Sequence, residues 1–154
     1  MRMSRHLGLF LNKKPIILYE NGTEYYGGLQ AYAYAASTSG ATRLAPTLTK
    51  GASSFTAKIT TSNRAGSVFV NNAVNMTGKA KLSITVSALA VSDYIYMVAT
   101  STKADKYVAA GSVKITGTGA WNLDVSKLAG NYYVALFIGG SGSQSITVTD
   151  WRLS

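Results

Sequence analysis

The chain has 154 residues, 47% of them hydrophobic and 14% charged, and its 15 Lys and Arg against 6 Asp and Glu give a formal net charge of +9. That length fits one domain with a single core, burying about 70% of the surface of the unfolded chain, and the apolar content excludes disorder except at the ends. With no cysteine present, a disulfide framework, a thiolate nucleophile and a Cys-based zinc site are excluded as well.

Residues 1–15 read as a basic arm and 16–154 as the folded domain. The arm carries Arg2, Arg5, Lys13 and Lys14 and no acid, which leaves 15 − 4 = 11 basic residues against 6 acids, or +5, for the remainder. Its apolar stretch, Leu7 to Leu11, is too short for a signal-peptide core or a membrane span. No membrane partner is expected, and synthesis and retention in the cytoplasm are. A basic arm suits an acidic protein lattice, a nucleic acid or a charged membrane surface.

Along the domain, Asn21-Gly22 stands between the β-favouring runs Ile16 to Glu20 and Thr23 to Tyr26, and a type I′ turn needs both central residues at positive φ, so 16–26 should be a hairpin. Leu29 to Ala36 places Tyr32 and Tyr34 on one face with alanines on the other. Ser54 to Thr60 and Ser67 to Asn71, separated by Asn63-Arg64-Ala65-Gly66, suggest a second hairpin. Lys81 to Ser87 alternates strictly, with Leu82, Ile84 and Val86 inward. Tyr94 to Thr100 and Tyr107 to Ile115 follow, the first buried on both faces and the second broken near Gly111.

Trp121 to Val125 alternates again, and Ser126 to Gly130 has the form of one helical turn closed by glycine. Tyr132 to Ile138 lacks polar alternation and should be a central strand, joined through a Gly-Gly-Ser-Gly-Ser hairpin loop at 139–143 to a last strand. In that strand Ile146 and Val148 share one parity and Trp151 and Leu153 the other, so a β-bulge near Thr149 and Asp150 is needed. Nine or ten short strands without a helical period give an all-β, antiparallel β-sandwich.

Catalytic chemistry is sparse. The nearest acid pair, Glu20 and Glu24, falls on opposite faces of the first hairpin, which defeats the facing carboxylates that glycoside hydrolysis needs. His6 is the only histidine and lies in the arm, so neither a Ser-His-Asp triad nor a histidine zinc site is expected. Asp93, Asp105 and Asp150 could serve calcium through oxygen ligands, although turn capping is the simpler use. No cofactor, no metal and no enzymatic activity are expected.

Tyrosine is the unusual resource, with ten copies. Flat rings stack on the apolar faces of sugars, and hydroxyls and amides read their polar edges. Tyr32 with Tyr34, and Tyr94 with Tyr96, stand at the i, i+2 spacing that aligns two rings on one sheet face, as candidates for glycan or subunit contact. Core or subunit packing is the commoner use of such rings. Stacking on single-stranded nucleic acid fits less well, because the tyrosine-bearing strands are not basic.

Several segments carry a family resemblance: Ile17-Leu-Tyr-Glu-Asn-Gly-Thr-Glu24, Gly27-Gly-Leu-Gln-Ala-Tyr-Ala-Tyr34, Ala45-Pro-Thr-Leu-Thr-Lys50, Leu123 to Val134, and the closing Ile146-Thr-Val-Thr-Asp-Trp-Arg-Leu153. Over residues 16–154 the chain resembles small jelly-roll domains, similar in fold to carbohydrate-binding modules, found among the structural proteins of tailed phages and prophages of Gram-positive bacteria. The resemblance implies a jelly-roll, non-enzymatic virion protein, either a capsid decoration or fibre subunit or a tail-associated one. It also implies other virion proteins as partners, homo-oligomerisation and, as the alternative role, adhesion to a host-surface glycan. Such domains commonly end longer tail proteins. A domain standing behind a basic arm suggests instead a separately attached subunit, anchored in the virion by Arg2, Arg5, Lys13 and Lys14.

Overall fold

The computed structural model of the chain describes residues 14–33, 42–60, 64–103, 109–140 and 142–154. Among them lie fourteen strands and no helix: β1 (Ile16–Glu20), β2 (Thr23–Glu24), β3 (Leu29–Ala33), β4 (Thr42–Arg43), β5 (Thr47–Lys50), β6 (Phe55–Ile59), β7 (Arg64–Val70), β8 (Val74–Asn75), β9 (Lys81–Ala90), β10 (Tyr94–Thr100), β11 (Ala109–Lys114), β12 (Gly119–Asp124), β13 (Asn131–Gly140) and β14 (Gln144–Leu153). Most of the excess over nine or ten comes from short pieces, since β2, β4 and β8 have two residues each.

The strands form two sheets. The first runs β12-β9-β14-β1-β2, with β6 also on β14 and β5 on β6. Its central strand, β14, has β9 along one side, while β6 and β1 share the other, β6 against Gln144 to Val148 and β1 against Asp150 to Leu153. The second sheet runs β11-β10-β13-β7-β3, with β4 on β7 and β8 on β13. Pairing is antiparallel except for the two-residue β4 against β7. From β6 onward the chain passes repeatedly from one sheet to the other, the wrapping of a jelly roll.

That wrapping corrects two expected hairpins. β6 pairs with β14 and β5, whereas β7 pairs with β13 and β3, so the two runs near residue 60 lie in different sheets. Arg64, Ala65 and Gly66, read as part of a turn, belong to β7 itself. The connection from β13 to β14 likewise crosses between sheets. Packed sheets stand about 10 Å apart, a gap that three or four extended residues can cover. Buried Gln144 fixes this corner, donating through Nε2 to the Gly139 carbonyl and accepting from the Asp93 N–H at 3.2 Å.

Local signals translate directly. Asn21 and Gly22 have φ of 48° and 90°, and the strands they join pair Tyr19 with Glu24 and Glu20 with Thr23. The β14 register skips Thr149, between Val148 opposite Val86 and Asp150 opposite Thr85. This bulge returns Trp151 and Leu153 to the face of Ile146 and Val148, and all four are buried in one cluster. The expected helical turn after β12 is an Asx turn instead: the Asp124 carboxylate accepts from both the N–H and hydroxyl of Ser126.

Between the sheets lies the main core. The first sheet contributes Leu18, Phe55, Leu82, Ile84, Ile146, Val148 and Trp151, and the second Val68, Val70, Ile95, Met97, Val134, Leu136 and Ile138. Tyr19 meets Phe55 edge-on at 4.9 Å, and Phe55 stacks on Trp151 at 6.4 Å. The Trp151 indole N–H is buried without a hydrogen-bond partner among the described residues. Trp151→Ala should therefore lower unfolding free energy by about 3–5 kcal/mol. Trp151→Phe should cost clearly less, because it removes a donor that makes no bond. Urea denaturation of both variants checks this.

Candidate functional site

Three strands of the second sheet bury residues on both faces. β10 sends Ile95, Met97 and Ala99 into the main core, β13 sends Val134, Leu136 and Ile138, and β7 sends Val68 and Val70. Alternation then turns Tyr94, Tyr96 and Val98, Tyr133, Ala135 and Phe137, and Ala65, Ser67 and Phe69 to the outer face. There a second apolar cluster forms from Ala65, Phe69, Val98, Ala135 and Phe137, with Tyr32, Tyr96 and Tyr133 packed against it.

Register places these side chains in rows across the strands. One row reads Tyr32 (β3), Ser67 (β7), Phe137 (β13), Tyr96 (β10) and Lys114 (β11); the next reads Gln30, Phe69, Ala135, Val98 and Ser112. Strands lie about 4.8 Å apart, so a five-strand row is roughly 19 Å long. The floor residues Phe69, Val98, Ala135 and Phe137 are at most 3% exposed, whereas Tyr32, Tyr94, Tyr96 and Tyr133 are half-buried. The tyrosines are therefore the accessible part of this face.

The rings are fixed by mutual contact. Phe69 is met edge-on by Tyr32 at 5.6 Å, Phe137 at 6.1 Å and Tyr133 at 6.4 Å. Tyr94 and Tyr96 lie 5.6 Å apart. Gly139 makes room for the first of this pair: a Cβ there would stand 2.7 Å from Tyr94 Cζ, so any side chain would push the ring off β13. Ser67, in the middle of its row, is fully buried and its hydroxyl has no hydrogen-bond partner among the described residues.

At one end of the face the Lys103 ammonium sits 5.4 Å from the Tyr32 ring centroid and 5.8 Å from that of Tyr133, within cation–π range of both. It donates to the Asn71 carbonyl at 3.0 Å and to Asn71 Oδ1 at 3.1 Å. Asn71 in turn donates through Nδ2 to the Gly27 carbonyl at 2.9 Å. Loops following β2, β7 and β10 are thereby locked together beside the rings.

The start of β3, which carries Tyr32, is clipped to the first sheet. Glu24 Oε1 accepts from the Leu29 N–H at 2.7 Å and pairs with Lys50 Nζ at 2.9 Å, and Lys50 also donates to the Leu29 carbonyl at 3.3 Å. Burial pushes the Glu24 pKa up, but the Leu29 N–H and the Lys50 ammonium together outweigh it and hold the carboxyl below its ordinary 4.5.

Of the residues singled out from sequence, Tyr32, Tyr94 and Tyr96 share this outer face, while Tyr34 lies outside the described residues, as do Arg2, Arg5 and Lys13. Lys14 is exposed just before β1. Sequence reasoning missed Tyr133, Phe69, Ser67 and Lys103. No local signal separates Tyr133 from Tyr132, because the run from Tyr132 to Ile138 is apolar at both parities.

Carboxylates gather elsewhere. Glu20 and Glu24 separate as expected, but Glu20 lies opposite Asp150 in the β1–β14 pair, and Arg152 bonds to both, to Glu20 Oε2 at 3.4 Å and to Asp150 through Nε at 2.6 Å and a second contact from its terminal nitrogen. The guanidinium occupies the space that a substrate oxygen and water would need between a glycosidase pair. Among the described residues no three acids or histidines come together as metal ligands; Asp105 lies outside them.

No protein-family model and no curated sequence matches the chain. Among solved structures, the fold is similar to that of a mutant of CBM29-2, a family 29 carbohydrate-binding module, with a TM-score of 0.58 and 11% identity over 91% of this chain and 90% of that one. It is also similar to CBM86, a low-affinity xylan-binding module from Roseburia intestinalis, with a TM-score of 0.51 and 12% identity over 83% and 97% of the two chains. The likeness is one of fold: a carbohydrate-binding-module-like jelly roll.

The lowered Glu24 pKa carries a stability signature. Its contribution is fully present above pH 4.5 and is lost as the pH falls through the lowered value. Glu24→Gln should be less stable than the parent at neutral pH, and the gap should close on acidification below 4.5, as followed by thermal melts across a pH series.

Proposed function

We propose that the chain is a glycan-binding module whose ligand lies across the outer face of the second sheet. The observation that carries this reading is the set of half-buried tyrosines, Tyr32, Tyr94, Tyr96 and Tyr133, propped over a fully buried apolar floor. Such rings present flat apolar surface to the C–H faces of pyranose rings. Preorganisation adds to the fit, because rings already held edge to face lose little freedom when a ligand arrives. The fold neighbours support the same reading, one being described as a xylan-binding module. No catalytic step is assigned.

This reading reverses the order of roles expected from sequence, where virion architecture came first and glycan adhesion second. A virion setting is compatible with it: an arm bearing Arg2, Arg5, Lys13 and Lys14 would tether an adhesion module to a particle. The two roles separate experimentally. Deleting residues 1–14 should release the chain from purified particles and leave polysaccharide affinity unchanged.

The direct test is affinity electrophoresis in soluble xylan and in a panel of other plant and bacterial wall polysaccharides. Tyr96→Ala and Tyr133→Ala should each weaken retention by the retained polymer roughly tenfold, measured well below the melting temperature of each variant. Retention unchanged in both variants would place the ligand elsewhere.

A further inference from the structure

We infer that the glycan taken by this face is anionic, bearing carboxylates of the uronic acid type, and that Lys103 and Lys114 read its charge. The inference rests on the glycan-binding reading above and narrows it. Its basis is how charge is divided between the sheets. Of the five described acidic residues, Glu20, Glu24, Asp124 and Asp150 belong to β1, β2, β12 and β14 of the first sheet, and Asp93 to the turn before β10. The strands of the second sheet contain no acid at all, and among their described side chains Lys114 is the cation on the outer face.

Two ammonium groups stand beside the tyrosines. Lys114 is the register partner of Tyr96 on β11 and is exposed, so its side chain rises from the same face at the end of the Tyr32–Ser67–Phe137–Tyr96 row. At the other end, the Lys103 ammonium is held against the Tyr32 and Tyr133 rings, with two hydrogen bonds to Asn71. An ammonium has three donors, and the described residues engage two of them. A neutral sugar offers hydroxyl protons that seek acceptors, and among the described residues this face holds no carboxylate to accept them. A carboxylated sugar brings its own acceptors to two fixed donors, and charge-assisted hydrogen bonds of that kind are the stronger ones.

The test uses the full chain and a uronate-bearing xylan, compared with the same polymer after chemical reduction of its carboxyls to alcohols, at low and high salt. Binding to the native polymer should be roughly tenfold tighter than to the reduced one, and added salt should erase the difference. Lys114→Gln, at an exposed site, and Lys103→Gln should each shrink the preference. A Lys58→Gln/Lys81→Gln pair on the first sheet, which lowers net charge by two, should leave it intact.

Equal affinity for the two polymers would overturn the charge inference and leave the glycan reading standing. A first-sheet pair that reduces the preference as much as the face variants would also overturn it, by tracing the effect to net charge. No retention on either polymer, together with none across the wider panel, would overturn both.

Discussion

Every feature of the candidate site depends on the period-two alternation of β7, β10 and β13. A sandwich needs one apolar face per sheet, and the first sheet obeys that rule, with outer positions such as Ser83, Thr56, Thr147 and Arg152 making polar contacts to Asn122, to each other and to Asp150. In the second sheet the same alternation serves two apolar surfaces. Ile95, Met97, Leu136 and Val68 close the main core, and their immediate neighbours Tyr96, Val98, Phe137 and Phe69 build another cluster facing away from it. A register slip of one residue would exchange the two sets and destroy both.

The supports around the face follow from this arrangement. An aromatic platform at a sheet surface is useful only if its rings hold still, and each ring here is restrained by something other than its own strand. Tyr32 is restrained through Phe69 and through β3, which Glu24 and Lys50 tie to the first sheet. Tyr133 shares the Lys103 ammonium with Tyr32. Tyr94 rests where Gly139 leaves space. The described acids lie on the first sheet and in a turn, and cations stand at the margins of the tyrosine face. Steric order and electrostatic polarity thus mark one surface by separate physical routes.

How much of this was legible in the sequence follows the range of the interactions. Local rules carried through: the Asn21-Gly22 turn, the inward Leu82, Ile84 and Val86, and the bulge at Thr149, which the parity change before Trp151 demanded. Pairing partners did not, because alternation says which face a residue occupies and not which strand lies beside it. Hence β6 and β7, close in sequence and both β-favouring, read as a hairpin although each pairs with strands far along the chain. The site was half visible for the same reason. Tyr32, Tyr94 and Tyr96 stood out by spacing, but the apolar run of β13 hides whether Tyr132 or Tyr133 points outward, and Lys103 meets the rings only through loops brought together by the fold.

The most direct measurement is a titration of the 15N-labelled chain with a short xylo-oligosaccharide and its uronate-bearing counterpart, followed by amide chemical shifts. If the outer face of the second sheet is the ligand surface, the largest shifts should fall on Ser67, Phe69, Val98, Ser112, Tyr133 and Ala135, with amides near Lys103 and Lys114 responding most to the uronate-bearing ligand. Shifts concentrated instead on Thr56, Ser83 and Thr147 of the first sheet would contradict the account.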